Sequence, residues 1–199
     1  MIKAIAFDYG GVIELNEGDL IQKIVKSLQI GKEDWHKVYY SLNYLCNTGK
    51  KSWEEVALLT AQKLNASDAQ ISNMQEIIKA SKDTKKLNLE LIEIIKDLKN
   101  KEYKIGLLSN NSLDLRKKLF DQKILNLFDA VIISAEVGYQ KPQPEIFEIL
   151  FKTLGVKKNE MIFIDDSERS LEGADDLGYL PILYKDNKQL LEDLSKRRV

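Results

Sequence analysis

The stretch "AIAFDYGGVI", residues 4–13, joins an apolar run to a carboxylate and a pair of glycines. A short, continuous apolar run is typical of a strand that is buried on both faces of a parallel sheet. Asp8 ends the run, and Gly10 and Gly11 allow the backbone to turn directly after it. Ligands of open parallel sheets bind beyond the carboxyl ends of the strands. The stretch therefore predicts a buried strand that leads into a functional site.

Short apolar runs and helical patterns alternate along much of the chain. The predicted strands are Ile2–Phe7, Tyr103–Leu108, Ala130–Ser134, Met161–Ile164 and Leu180–Tyr184. Among the helical patterns, residues 144–155 begin with Pro144 and end with Gly155, and residues 170–178 predict another helix that ends at Gly178. This alternation predicts an α/β fold with a Rossmann-like parallel sheet and helices on both of its faces.

The segment from about residue 15 to residue 84 has helical periodicity and little strand character. It lies between the first two predicted strands and is far too long for an ordinary strand-to-helix connection. We therefore predict an α-helical cap domain at 15–84, inserted into a catalytic core that is formed by residues 1–14 and 85–199.

Composition excludes several classes of function. The 199 residues include 30 basic and 31 acidic ones, so no strong overall field favours nucleic acid or an anionic membrane as partner. The single cysteine, Cys46, allows no internal disulfide, and the single histidine, His36, excludes a site with several histidine ligands. With no visible signal peptide or membrane-spanning run, the expectation is a cytoplasmic protein, either a monomer or a homodimer.

Polar side chains stand where the predicted strands stop. These candidate site residues are Asp8, Ser109, Asn110, Lys141, Asp165 and Asp166. Because the carboxyl ends of parallel strands share one edge of the sheet, we expect them to converge there. A following helix, capped by Asn111 or Ser112, is expected to add N–H groups that favour an anion.

The set is chemically coherent as a phosphoryl-transfer site. A carboxylate such as Asp8 can attack an electrophile and form an aspartyl-phosphate. Asp8, Asp165 and Asp166 repel one another unless a cation such as Mg²⁺ joins them, and the backbone carbonyl of Gly10 is a candidate fourth ligand. Ser109 and Lys141 can donate to the phosphoryl oxygens of a substrate.

At this level of detail the sequence resembles the haloacid dehalogenase-like superfamily, in the branch with a helical cap after the first motif. The matching segments are "FDYGGV", "LLSNNS", "GYQKPQPEIF" and "FIDDSERSLEGADDLG", which cover nearly the whole chain. The resemblance implies Asp8 as nucleophile, a role for Ser109 and Lys141 at the phosphate, and Mg²⁺ as cofactor. It also implies a cap that closes over a small phosphorylated substrate, such as a sugar phosphate.

Gly10 departs from the family pattern, because phosphatases of this family usually carry a second aspartate there as general acid and base. Three functions stay open: a phosphatase without that residue, a catalytically impaired binding or regulatory protein, and a haloacid dehalogenase. Dehalogenases of the family carry a tyrosine at the position of Gly10, whereas Tyr9 stands one place earlier and points to the opposite side of an extended backbone. Glu14 is the nearest downstream acid and the one candidate replacement, unless it is a solvated hinge residue.

Overall fold

This computed structural model describes residues 1–16, 20–81 and 85–199 of the chain. The strands are β1 (Ala4–Phe7), β2 (Glu14–Asn16), β3 (Lys85–Leu87), β4 (Lys104–Ser109), β5 (Ala130–Ile133), β6 (Met161–Asp165) and β7 (Leu180–Leu183). The helices are α1 (Leu20–Leu28), α2 (Lys32–Leu42), α3 (Tyr44–Asn47), α4 (Trp53–Lys63), α5 (Asp68–Ser81), α6 (Leu89–Asn100), α7 (Leu115–Asp121), α8 (Ser134–Val137), α9 (Pro144–Leu154), α10 (Ala174–Leu177) and α11 (Asn187–Lys196). Within the described residues, no helix has both the length and the apolar character needed to cross a membrane.

A five-stranded parallel sheet forms the centre of the molecule, in the order β5-β4-β1-β6-β7. This confirms the predicted α/β fold, and each predicted strand is present with no end shifted by more than two residues. Chain order reverses on either side of β1, so the carboxyl end of β1 lies at the point where ligands of such sheets bind.

Each face of the sheet is covered by its own apolar layer. Ile5 and Phe7 of β1 pack into a layer with α6, whereas Ala4 and Ala6 face the layer that contains α9. The small alanines leave room for the aromatic side chains of that second layer, in which Phe147 stacks on Tyr179 with ring centroids 4.9 Å apart. This two-sided burial explains why the strands are apolar throughout.

Helices α1, α2, α4 and α5 pack around a separate hydrophobic cluster, which includes the fully buried Trp35 and Met74, and α3 adds Cys46 to a second, smaller cluster. Two short antiparallel strands, β2 and β3, pair where the chain leaves the sheet and where it returns, with Glu14 opposite Leu87. The sequence did not predict this pair, because strands of three residues with charged side chains show no periodic pattern. The division at 15–84 stays a prediction, and residues 17–19 and 82–84 within it lie outside the described residues.

Two local predictions are wrong. The segment 170–178 is not one helix: a 3₁₀ turn, Glu168–Leu171, is followed by α10, and Gly173 separates them with a φ of +78° that interrupts a right-handed helix. The helix after β4 begins at Leu115 with Asp114 at its N-cap, so neither Asn111 nor Ser112 caps it. The side-chain oxygen of Asn111 instead accepts a hydrogen bond from the N–H of Ser112 at 2.9 Å.

We expect Leu150→Ala to lower the free energy of unfolding by about 2–5 kcal/mol, because Leu150 is fully buried in the layer under α9 and its loss leaves a cavity. Urea denaturation of the purified protein measures the change. Lys152→Ala, at an exposed position of the same helix, is the control and should stay within about 0.5 kcal/mol of wild type. Equal effects for the two variants would contradict the assigned core.

Candidate active site

Three neighbouring strands deliver polar side chains to one edge of the sheet. Asp8 follows β1, Ser109 is the last residue of β4, and Asp165 is the last residue of β6, with Asp166 directly after it. Since β1 lies between β4 and β6, these side chains converge as predicted. Carboxylate oxygens of Asp8, Asp165 and Asp166 lie within 4.8 Å of one another.

Lys141 joins this group from the loop before α9. Its Nζ donates to Asp8 Oδ1 at 2.7 Å and to Asp165 Oδ2 at 2.5 Å, and the residue is only 5% exposed. Burial disfavours the charged ammonium, but the charges of Asp8 and Asp165 outweigh burial and raise the pKa of Lys141. The site thus has a fixed positive charge beside Asp8.

Asn110 fixes the backbone from which Lys141 projects. Its Oδ1 accepts from the N–H of Lys141 at 2.8 Å, and its Nδ2 donates to the carbonyl oxygen of Lys141 at 3.0 Å. The structure therefore gives Asn110 a positioning role that sequence reasoning missed, since no local pattern links positions 31 residues apart. Its predicted contact with substrate stays a prediction.

The two acids after β6 are in different situations. Asp165 is 1% exposed, and both of its oxygens have partners, because Oδ2 accepts from Lys141 and Oδ1 accepts from the N–H of Ser167 at 2.9 Å. Burial raises the pKa of Asp165 to about 6, with the charge of Asp8 adding to the rise and Lys141 opposing it. Asp166 is exposed as a residue, but its carboxyl group is partly shielded from solvent. This partial burial and the charge of Asp8 raise the pKa of Asp166.

This donor set fits a hard divalent cation. Three carboxylates face one ammonium, so the cluster has an excess of negative charge when the acids are ionised. Burial and repulsion between carboxylates both raise carboxyl pKa values. A bound cation that prefers oxygen ligands offsets both effects. The residues present are therefore suited to Mg²⁺.

Gly11 sits against this cluster, and a side chain there would collide with it. A Cβ built at Gly11 lies 2.1 Å from Oδ2 and 2.5 Å from Cγ of Asp166, and the φ of Gly11 is +80°. Glycine is thus required at position 11 both for backbone conformation and to leave space for the Asp166 carboxylate. The sequence signalled a turn here but not this contact.

Gly10 is different, because it is exposed and open. A Cβ built there has no heavy atom of the described residues within 4 Å, apart from the glycine itself and its chain neighbours. The prediction that the Gly10 carbonyl binds a metal ion stays a prediction.

Glu14, the candidate replacement acid, belongs to a different contact network. Its carboxylate accepts from the hydroxyl of Tyr9 at 2.9 Å and forms an ion pair with Lys118 of α7. The Tyr9 hydroxyl oxygen also lies 3.0 Å from Oε1 of Gln122, and burial raises the pKa of Tyr9. Glu14 is only 5% exposed, so the alternative of a solvated hinge residue is wrong. Tyr9 packs in the same layer as Phe7, which confirms that its side chain points away from Asp8.

The helical segment reaches over the loops that form the site. Asn47 of α3 donates from Nδ2 to Oε1 of Gln140, the residue before Lys141, at 2.9 Å. The guanidinium of Arg169, three residues after Asp166, lies 5.3 Å from the ring centroid of Tyr40 on α2. Sequence analysis singled out neither contact, because each joins positions far apart in the chain that no periodicity links.

Comparison with known proteins adds three relationships. A family model described as haloacid dehalogenase-like hydrolase matches residues 2–178. Bifunctional epoxide hydrolase 2 of Rattus norvegicus is 32% identical over 129 residues, which are 62% of this chain but only 23% of that protein. D-ribitol-5-phosphate phosphatase of Bacteroides thetaiotaomicron is 26% identical over 192 residues, or 90% of both chains.

A solved structure shares the fold over almost the whole chain. It is the wild-type HAD family enzyme of Bacteroides thetaiotaomicron in complex with magnesium and inorganic phosphate, with a TM-score of 0.64 and 22% identity. The match covers 96% of this chain and 99% of that one. At this level of identity, the likeness shows the fold.

We expect Lys141→Met to lower the free energy of unfolding of the metal-free protein by about 3–5 kcal/mol, because it leaves two buried carboxylates without their cation. Urea denaturation in the presence of a chelator measures this. Lys96→Met is the matched control: Lys96 pairs with Glu93 on an exposed helix face, and its loss should cost at most about 0.5 kcal/mol. A loss for Lys141→Met as small as that of the control would contradict the assigned ion pairs.

Proposed function

Since this chain belongs to the haloacid dehalogenase-like hydrolase family, we propose that it is a Mg²⁺-dependent phosphatase acting on a small phosphomonoester. The observation that carries the proposal is the buried contact of Lys141 with Asp8, beside the Asp166 carboxylate. This arrangement places positive charge beside Asp8, where a phosphoryl group would react. The phosphatase related to it along 90% of its length supports the same conclusion.

The proposed reaction has two displacements at phosphorus. Lys141 occupies Oδ1 of Asp8, which leaves Oδ2 as the attacking atom. Oδ2 forms a bond to phosphorus as the bond between phosphorus and the leaving oxygen breaks, and the product is an aspartyl-phosphate on Asp8. Water then attacks phosphorus, the bond to Asp8 breaks, and inorganic phosphate leaves. Ser109 and Lys141 donate hydrogen bonds to the phosphoryl oxygens in both steps.

The residues proposed to hold Mg²⁺ are Asp8, the carbonyl of Gly10, Asp165 and Asp166. Of these, Asp166 is the best candidate, because both oxygens of Asp165 accept from Lys141 and Ser167, and Oδ1 of Asp8 also accepts from Lys141. When bound there, the ion supplies charge that neutralises the carboxylates and polarises a phosphoryl oxygen.

The substrate class is proposed as a small phosphorylated molecule, with a sugar or sugar-alcohol phosphate as the first choice. The name of the bacterial relative, D-ribitol-5-phosphate phosphatase, supports this choice. Selectivity for the substrate would come from the helical segment, α1 to α5, through side chains such as Tyr40 and Asn47. A dehalogenase function has less support, because Tyr9 is buried away from Asp8.

We expect the purified protein to release phosphate from a panel of phosphomonoesters with Mg²⁺, and to lose this activity with a chelator. Asp8→Asn should reduce release to the level without protein, because an amide is a poor nucleophile towards phosphorus. Phosphate release is followed colorimetrically, and an aryl phosphate is included in the panel. Phosphate release that persists in Asp8→Asn would refute the mechanism. No release from any ester would favour the binding-protein alternative, and a halide-release assay would then test the dehalogenase alternative.

We expect Gly11→Ala to abolish the stabilisation by Mg²⁺, because a Cβ at position 11 occupies the space of the Asp166 carboxylate. At a Mg²⁺ concentration 100 times the dissociation constant, wild type should gain about 2.7 kcal/mol. Thermal unfolding with and without Mg²⁺ measures this without any substrate.

Gly178→Ala provides the matched control for that experiment. Its φ of +82° is almost that of Gly11, but a Cβ at Gly178 has only an ordinary contact, 3.9 Å from the Cβ of Lys158. Both variants therefore carry the same backbone strain, and only Gly11→Ala should lose the response to Mg²⁺. A full Mg²⁺ response in Gly11→Ala would show that the ion does not bind between these residues.

A further inference from the structure

Resting on the proposed function, we propose that the open space at Gly10 makes the protein favour phosphoryl compounds whose leaving oxygen needs no proton from the protein over esters of ordinary alcohols. The favoured class comprises phosphates of phenols, of carboxylic acids and of anomeric hydroxyl groups. In each of them the departing oxygen carries a stabilised negative charge. The site is thereby selective for the chemistry of the leaving group, in addition to any selectivity from the helical segment, α1 to α5.

The inference starts from the proton balance of the first displacement. When Oδ2 of Asp8 attacks phosphorus, the leaving oxygen takes both electrons of the broken bond. An ordinary alcohol would leave as a strongly basic alkoxide, and a positioned acid that protonates it is worth about 10²–10⁴-fold in rate. A phenolate, carboxylate or anomeric oxygen leaves as the anion and takes its proton from solvent afterwards.

Within residues 1–16, 20–81 and 85–199, the groups around Asp8 offer no such acid. The Lys141 ammonium donates hydrogen bonds to Asp8 and Asp165, and both oxygens of Asp165 have partners. Asp166 belongs to the proposed cation site. Glu14, the nearest acid after the motif, is turned to Tyr9 and Lys118 and is buried there.

Gly10 is where an acid would have room. It stands two residues after Asp8, is exposed, and has no described atom within 4 Å of a built Cβ apart from its own chain neighbours. Its φ lies outside the left-handed range that favours glycine, so a side chain meets neither a steric nor a backbone obstacle. The missing acid is therefore a property of one residue, and one substitution can supply it.

The experiment compares leaving groups directly. Substituted phenyl phosphates of graded phenol pKa, together with ethyl phosphate, are assayed with Mg²⁺ for wild type, Gly10→Asp and Gly10→Asn. The logarithm of kcat/KM is plotted against the pKa of the leaving group. Asparagine has the size of aspartate without its proton, so Gly10→Asn separates acid catalysis from a steric effect.

We expect a steep fall of kcat/KM with rising leaving-group pKa for wild type and for Gly10→Asn. Gly10→Asp should give a shallower slope and a gain of about 10²–10⁴-fold on ethyl phosphate relative to wild type. The wild-type slope needs no variant, so it decides the matter even if a substitution impairs folding, which circular dichroism checks.

Two results would overturn the inference. One is a wild-type slope near zero, with ethyl phosphate hydrolysed as fast as phenyl phosphate. The other is an equal flattening of the slope by Gly10→Asn and Gly10→Asp. In both cases loss of turnover in Asp8→Asn would leave the proposed phosphatase intact, whereas absence of turnover on every phosphate would mean that the proposed function itself fails.

Discussion

The ion contacts of Lys141 are the constraint on which the site depends. Lys141 is 5% exposed, and the attraction of two carboxylates offsets the cost of burying its ammonium. The ammonium in turn offsets the cost of burying those carboxylates. The three side chains come from β1, β6 and the loop before α9, so the contact fixes the relative positions of those elements at the edge of the sheet. With Asp166, three carboxylates face this one ammonium, and the excess of negative charge makes the edge suitable for a cation.

Neighbouring groups hold the members of this contact in place. Asn110 holds both backbone groups of Lys141, and the N–H of Ser167 holds the second oxygen of Asp165. Gly11 contributes because it has no side chain, since a Cβ at this position would overlap the Asp166 carboxylate. A reacting group held by such a shell is oriented before a ligand arrives, which lowers the reorganisation needed during reaction.

The sequence predicted the sheet and the convergence of Asp8, Ser109, Lys141, Asp165 and Asp166, because apolar runs and their polar ends are local signals. It did not predict contacts between distant positions that follow no periodicity. The pairing of β2 with β3 joins residues 69 to 73 positions apart in strands of three residues each. The orientation of Glu14 depended on Lys118 and Tyr9, partners that no spacing rule identifies. The helix expected over 170–178 was wrong because Gly173 adopts a left-handed conformation within an otherwise helical pattern.

The network around Glu14 has a mechanical consequence for the helical segment. Glu14 is the first residue of β2, and its side chain is tied to Tyr9 and to Lys118 in the main body of the molecule. Two glycines at positions 10 and 11 would otherwise be the obvious pivot for a movement of α1 to α5. Because the side-chain contacts of Glu14 hold the chain at this point, a displacement of α1 to α5 is resisted at Glu14 before it reaches Asp8. Glu14, rather than the two glycines, is thus the residue at which the chain leading into α1 is held.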